Sequence, residues 1–120
     1  MFKKTLLALA VFVASGSSSW AQQASSDYPT KPIRIVAPSA AGGGFDLVAR
    51  VLGSKLSEQM GQQFVVENRS GGGTLAGTLA IAKAPADGYH LLVGGLSNMA
   101  LNAGLYKNPG YDPLTDFITL

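Results

Sequence analysis

The apolar and polar positions along the chain fall into short extended runs that alternate with amphipathic ones. Ile33-Arg34-Ile35-Val36-Ala37 is β-branched and apolar and predicts a first strand. The polar stretch Gln22 to Asp27 reads as a loose tail. Tyr28-Pro29-Thr30-Lys31-Pro32 reads as a stiff extended segment leading into the strand. Further on, Phe45, Val48, Ala49, Leu52, Leu56 and Met60 recur at three- and four-residue steps. That spacing predicts a helix from Phe45 to Met60 with one apolar stripe, stopped by Gly61. Phe64-Val65-Val66-Glu67-Asn68 predicts a second strand, and Leu75 to Ala84 a short alanine-rich helix. A turn at Pro85-Ala86-Asp87-Gly88 separates that helix from a third strand, Tyr89 to Gly94, centred on Leu91-Leu92-Val93. Met99 to Leu105 has room for one or two helical turns. Tyr106 to Asp116 is irregular, and Phe117-Ile118-Thr119-Leu120 reads as the start of a fourth strand.

Strand, helix, strand, helix, strand is the order of an α/β fold. It predicts a mostly parallel sheet flanked by helices, with right-handed crossovers. In such sheets, ligands bind outside the carboxyl ends of the strands. The loops at those ends carry the main chemical signal. Gly42-Gly43-Gly44 follows the first strand and precedes the first helix; Gly71-Gly72-Gly73 stands in the same position after the second strand. Glycine lets the backbone approach a ligand closely. The helix starts that follow offer unpaired N–H groups and a partial positive charge, which together suit a carboxylate or phosphate. The competing reading is that these glycines serve only tight turns.

The side chains near these loops each have two readings. Asp46 either accepts a hydrogen bond from a solute hydroxyl or sits in the first helical turn and offsets the helix dipole. Ser39, Thr74, Ser97 and Asn98 either contact ligand oxygens or cap helices. Glu67-Asn68-Arg69 reads mainly as a hydrogen-bonded brace at the end of the second strand, with Arg69 on a carboxylate as the sharper alternative.

The first residues belong to a different kind of pattern. Lys3 and Lys4 precede an unbroken apolar run from Leu6 to Ala14, a Ser/Gly-rich break follows, and Ser19 and Ala21 are the small residues of a cleavage site. The run is shorter than the roughly 20 residues a bilayer span needs. Residues 1–21 are therefore expected to be a signal peptide cut after Ala21, which places the mature protein outside the cytoplasm. Two of the nine basic residues lie in this leader; without them the basic side chains balance the seven acidic ones. No basic cluster or excess argues for a nucleic-acid partner, and none is expected. The chain has no cysteine, so disulfides, thiolate metal sites and a lipid-anchored cysteine are excluded, and no direct membrane anchor is expected.

Enzymatic motifs are absent. Neither glycine loop is a G-x-G-x-x-G fingerprint or a P-loop, and there is no G-x-S-x-G elbow. His90 is the single histidine and opens a strand, which favours a structural role; no metal and no cofactor is expected.

Several segments resemble one family in unbroken order. Tyr28 to Val36, Gly42-Gly43-Gly44-Phe45-Asp46 and Ala49-Arg50 are similar to the start of the Bug-type solute-binding proteins of tripartite tricarboxylate transporters. Val65 to Arg69 with Gly71 to Gly73, Ala82 to Pro85 with Asp87-Gly88-Tyr89 and Leu91-Leu92, and Asn102, Leu105-Tyr106-Lys107, Tyr111-Asp112-Pro113 and Asp116-Phe117 continue the likeness. The resemblance implies a two-lobed periplasmic receptor, not an enzyme, that closes on a small carboxylate-bearing solute and delivers it to membrane permease subunits. Residues 22–120 would be the N-terminal part of its first lobe, incomplete at the C-terminus.

Carried over by position, the ligand-binding residues would be Ser39, Ala40, Ala41, Gly42, Gly43, Gly44, Phe45 and Asp46 in the first loop. Gly71, Gly72, Gly73, Thr74 and Leu75 would serve in the second, with Ser97 and Asn98 in the third. Four positions depart from the family pattern. Ala40-Ala41 replace prolines, Phe45 replaces a threonine and Ser70 replaces a proline. Two other readings compete with a receptor: an exported enzyme using Asp46 as general base on a small organic acid, and a truncated non-binding remnant.

Overall fold

The structure is a computed structural model that describes residues 27–120. The expected leader and all but the last residue of the polar tail lie outside the described residues.

Three strands, β1 (Ile33–Ala37), β2 (Phe64–Asn68) and β3 (His90–Leu92), form one sheet in the order β2-β1-β3. Both pairings are parallel, with Ile35 opposite Val66 on one side and Leu91 on the other. The ladder reaches one residue past each end of β3: Arg34 N–H donates to the Tyr89 carbonyl at 2.9 Å, and Val93 N–H to the Val36 carbonyl at 3.0 Å. The predicted β2 coincides with the observed strand, and the expected parallel sheet is present.

Helix α1 (Gly44–Met60) joins β1 to β2, and α2 (Leu75–Ala82) joins β2 to β3. Side chains alternate across a strand. Ile35 and Ala37 accordingly point to one face, where they pack with Ala49 of α1 and with Phe45, Phe64, Val66, Leu91 and Val93. Val36 points the other way and is also fully buried. That second face is covered by α2, the helix that contacts both β1 and β3. The central strand is thus covered on both faces, which explains its lack of polar alternation.

The predicted stripe of α1 needs correction. The face turned to the sheet runs through Asp46, Ala49 and Gly53, whereas Val48 and Leu52 are about half exposed, beside exposed Leu47 and Val51. Gly53 is the reason. A Cβ there would sit 3.4 Å from Ile35 and from Phe64, so the helix lies close to the sheet along its smallest residues. Gly61 ends the helix as expected, in the left-handed conformation at φ 68°, with its N–H on the Ser57 carbonyl.

After β3 the chain makes a π-helical turn, Ser97–Leu101, that runs into α3 (Asn102–Leu105). The Asn102 N–H reaches the Ser97 carbonyl five residues back, as a π-turn requires. The expected fourth strand is not formed: Phe117 to Leu120 pairs with neither sheet edge. The segment before it closes on itself instead. Asp112 N–H donates to Asp116 Oδ2 at 2.8 Å and Asp116 N–H to the Asp112 carbonyl at 3.0 Å, while Phe117 rests edge-on against Tyr111.

Candidate functional site

β1 and β2 are parallel neighbours, so the glycine loops that follow them emerge side by side at one end of the sheet. Asn68, the last residue of β2, ties the two together. Its Nδ2 donates to the Ser39 carbonyl at 3.3 Å, and Arg69 N–H donates to the Ala37 carbonyl at 2.9 Å.

The first loop is folded around Asp46. Gly42, at φ 86°, donates its N–H to Asp46 Oδ2 at 2.8 Å, and Arg50 Nε lies 3.0 Å from Oδ1. Asp46 is 5% exposed. The Gly42 N–H first, and then Arg50 and Asn68, hold its carboxyl down at about 2. Of its two readings, the structure places Asp46 in the first turn of α1, with Oδ2 accepting from Gly42 and Oδ1 buried in an ion pair with Arg50 but accepting no hydrogen bond. Gly43 is the N-cap of α1 and supplies no side-chain cap. Ser39 does not cap the helix either, since its hydroxyl donates to the Ala40 carbonyl at 3.3 Å. The N–H groups at the start of this 17-residue helix are left for solvent or a solute, at the positive end of the helix dipole.

The second loop has an unusual backbone. Gly71, Gly72, Gly73 and Thr74 follow one another at φ 136°, 57°, 62° and 81°, and Thr74 is the single non-glycine residue at positive φ among the described residues. Leu75 and Ala76 close the turn by donating to the Gly72 and Gly71 carbonyls, both at 3.3 Å. Within the described residues, the N–H groups of Gly71 through Thr74 have no protein acceptor. Thr74 occupies the N-cap position of α2 without capping it; its Oγ1 instead accepts from Asn102 Nδ2 at 3.0 Å. Successive backbone N–H groups in such turns form concave anion sites.

The third loop is placed differently from what its residue types imply. Asn98 is fully buried. Its Oδ1 accepts from Gly95 N–H at 2.8 Å and its Nδ2 donates to Thr78 Oγ1 and the Val93 carbonyl, both at 3.2 Å. The side chain locks the end of β3 to α2 and is not available to a ligand. Ser97 begins the π-turn, half-buried. Phe45 reaches over from the start of α1 and stacks on Gly95, where a Cβ would fall 2.8 Å from its ring. Beside it opens a shallow groove of about 420 Å³ lined by Gly44, Phe45, Val48, Val93 and Gly94.

Glu67 sits between two cations, ion-paired to Arg34 and to Arg69. Arg34 first, and then Arg69, pull its carboxyl down to about 2. The brace expected of Glu67-Asn68-Arg69 is therefore present. His90 opens β3 with its Nδ1 3.0 Å from Asp87 Oδ1.

Five residues of the site were not singled out by sequence reasoning for the parts they play. Gly77 lets α2 approach the strand ends: a Cβ on it would lie 2.8 Å from Pro38 Cα and 2.9 Å from the Arg69 carbonyl oxygen. Thr78 receives Asn98. Asn102, Tyr106 and Tyr111 brace the second loop from beyond β3. The only sequence signal for the last three is their place in the family likeness, which says nothing of their contacts.

Residues 48–120 match the family described as tripartite tricarboxylate transporter family receptor. Three solved structures are similar in both sequence and fold. The periplasmic binding protein BugD is 43% identical with a TM-score of 0.71, over 75% of this chain and 30% of that one. Rpa4515 of R. palustris, solved with adipate, is 42% identical with a TM-score of 0.67, over 74% and 30%. MatC of Rhodopseudomonas palustris, solved with bound malate, is 32% identical with a TM-score of 0.72, over 75% and 31%. The chain spans about a third of the length of the curated relatives it matches, 31% of one and 35% of another. The fold is that of a periplasmic-binding-protein lobe. The chain belongs to the tripartite tricarboxylate transporter receptor family and, within it, to the Bug-type solute-binding proteins.

Proposed function

We propose that this chain supplies the anion-binding half of a periplasmic receptor for a small carboxylate. The observation that carries the reading is the pair of adjacent loops with unpaired main-chain N–H groups, one at the uncapped start of α1 and one in the positive-φ run before α2. Oriented amides at helix starts bind carboxylates without a charged side chain. Two relatives of similar fold were solved with dicarboxylates, adipate in one and malate in the other, which supports the same ligand class here.

The remaining parts of the reading follow from the family and the leader. Residues 1–21 direct export and are removed after Ala21, and the loaded receptor hands its solute to a membrane permease. Among the described residues no helix is long and apolar enough to cross a membrane. The site groups proposed are the main-chain N–H groups of Ala40, Ala41, Gly44 and Phe45 in the first loop and of Gly71 through Thr74 in the second; Gly42, Gly43 and Leu75 shape the loops, their N–H groups being donated to Asp46 and to the Ala40 and Gly72 carbonyls. Asp46 and Asn98 act as internal supports. Enzymatic use of Asp46 as a base is disfavoured, because a carboxyl held at about 2 by Gly42 and Arg50 is a poor proton acceptor near neutrality.

The test is a thermal-shift screen of carboxylates, including malate and adipate, on the complete gene product, followed by calorimetry. A ligand bound only by the folded state at a hundred times its Kd adds about 2.7 kcal/mol of stability. No shift with any mono-, di- or tricarboxylate overturns the reading.

A further inference from the structure

From within, the second glycine loop is closed only by two long bonds, Leu75 and Ala76 N–H to the Gly72 and Gly71 carbonyls, both at 3.3 Å, and the Gly73 carbonyl has no local donor. Gly72 and Gly73 lack side chains, and four consecutive residues stand at positive φ, a conformation that gains nothing from ordinary helix or strand pairing. Two side chains from the segment after β3 grip its carbonyls. The Tyr106 hydroxyl donates to the Gly72 carbonyl at 3.3 Å across 34 residues of sequence. Asn102 Nδ2 donates to the Gly73 carbonyl at 3.2 Å across 29 residues, and to Thr74 Oγ1 at 3.0 Å. Asn102 is itself 3% exposed, and its Nδ2 also lies 3.1 Å from the Tyr111 hydroxyl, which donates onward to the Asn98 carbonyl; the two amide hydrogens are shared among the three oxygens around them.

The peptide unit is planar and trans, so the carbonyl of one residue and the N–H of the next point in opposite directions. Holding the Gly72 carbonyl on Tyr106 turns the Gly73 N–H away from Tyr106. Holding the Gly73 carbonyl on Asn102 turns the Thr74 N–H away from Asn102. These are two of the N–H groups that have no protein acceptor. We infer that Asn102 and Tyr106 are positioning residues of the anion site, which preorganise the second loop by pinning its carbonyls so that its amides face outward for a carboxylate. This rests on the receptor reading above and adds the residues that set the loop's binding geometry. Neither side chain is assigned a contact with the solute.

Tyr106 gives the cleaner test, because it is 39% exposed and Tyr106→Phe removes one hydroxyl and no packing. Calorimetry with malate and with adipate is run on the complete gene product and its variants, and the unfolding midpoint of each is measured without ligand. One lost hydrogen bond predicts binding about three- to fivefold weaker for Tyr106→Phe, with the midpoint lowered by no more than one exposed hydrogen bond accounts for. Asn102→Ala, which loses a buried anchor, should weaken binding further and also lower the midpoint. Leu105→Ala, at an exposed position in the same helix, should change neither. If the parent protein binds and Tyr106→Phe binds as well as it does, the positioning role is refuted while the receptor reading stands. If Tyr106→Phe lowers the midpoint as far as Asn102→Ala does, the hydroxyl is scaffold and the positioning role is again refuted. If the parent protein binds no carboxylate, the receptor reading fails and the inference falls with it.

Discussion

Gly77→Ala sets two effects of opposite sign against each other at a point where α2 touches the strand ends. Alanine is favoured over glycine in a helix by up to about 1 kcal/mol, and Gly77 is the third residue of α2. Against that gain stands the space available. The new Cβ would lie 2.8 Å from Pro38 Cα, 2.9 Å from the Arg69 carbonyl oxygen and 2.9 Å from Pro38 Cβ. Two of these three neighbours are backbone atoms at the ends of β1 and β2, so no rotamer change relieves the contact; the helix must move. Overpacking of this kind costs about 1–3 kcal/mol, and backbone neighbours place the cost in the upper part of that range. The net expectation is a loss of about 1–2 kcal/mol. The second glycine loop, which leads directly into α2, should be displaced with it. Gly104→Ala is the matched comparison: it too lies in a helix, but its Cβ would meet nothing within 4 Å, so it should be neutral or slightly stabilising. Urea unfolding of both variants, with m-values checked for constancy, measures the difference. If Gly77→Ala is as stable as Gly104→Ala, the close seating of α2 on Pro38 and Arg69 is wrong.

Three further outcomes are expected. Gly72→Val forces a β-branched residue into φ 57°, and Gly43→Val places a Cβ 3.1 Å from Ser39 Oγ; each should weaken carboxylate binding by about tenfold or more. Arg69→Ala should weaken it less, and glycine variants that bind normally in calorimetry would move the anion site elsewhere. Asn98→Ala strands the Gly95 N–H, the Val93 carbonyl and the Thr78 hydroxyl, so denaturant unfolding should show a loss of about 2–3 kcal/mol; a loss below about 0.5 kcal/mol would contradict the buried network. Glu67 is held at about 2 against an ordinary 4.5, so its ion pairs stabilise the fold fully above 4.5 and lose that effect as pH falls through 2. Glu67→Gln should flatten acid unfolding across that window by about 1 kcal/mol or less, because the pairs are partly exposed, and an unchanged acid limb would show that Glu67 carries none of it.

Local pattern was enough to identify β1, β2, both main helices and the two glycine loops. Each of these depends on neighbours within a few residues: β-branched runs for the strands, three- and four-residue steps for the helices, and glycines where the chain must turn at positive φ. The parallel sheet followed from the order of those elements. What lay beyond local pattern was decided by contacts between distant segments. The inward face of α1 passes through Asp46, Ala49 and Gly53 because the sheet accepts a close helix there, while Val48 and Leu52 remain outside despite their hydrophobicity. Phe117 to Leu120 has strand-like composition, but a strand exists only where an edge receives it, and no sheet edge does so among the described residues. Asp46 and Asn98 each carried a solute reading beside a structural one, and only tertiary packing decided between them by turning both inward to hold the loops. The brace on the second loop was the least legible feature. Asn102 and Tyr106 act on Gly73 and Gly72 from 29 and 34 residues away, and a hydrogen bond over such a separation leaves no periodic trace in the chain; it forms only once β3 has brought the following helix back beside the loop.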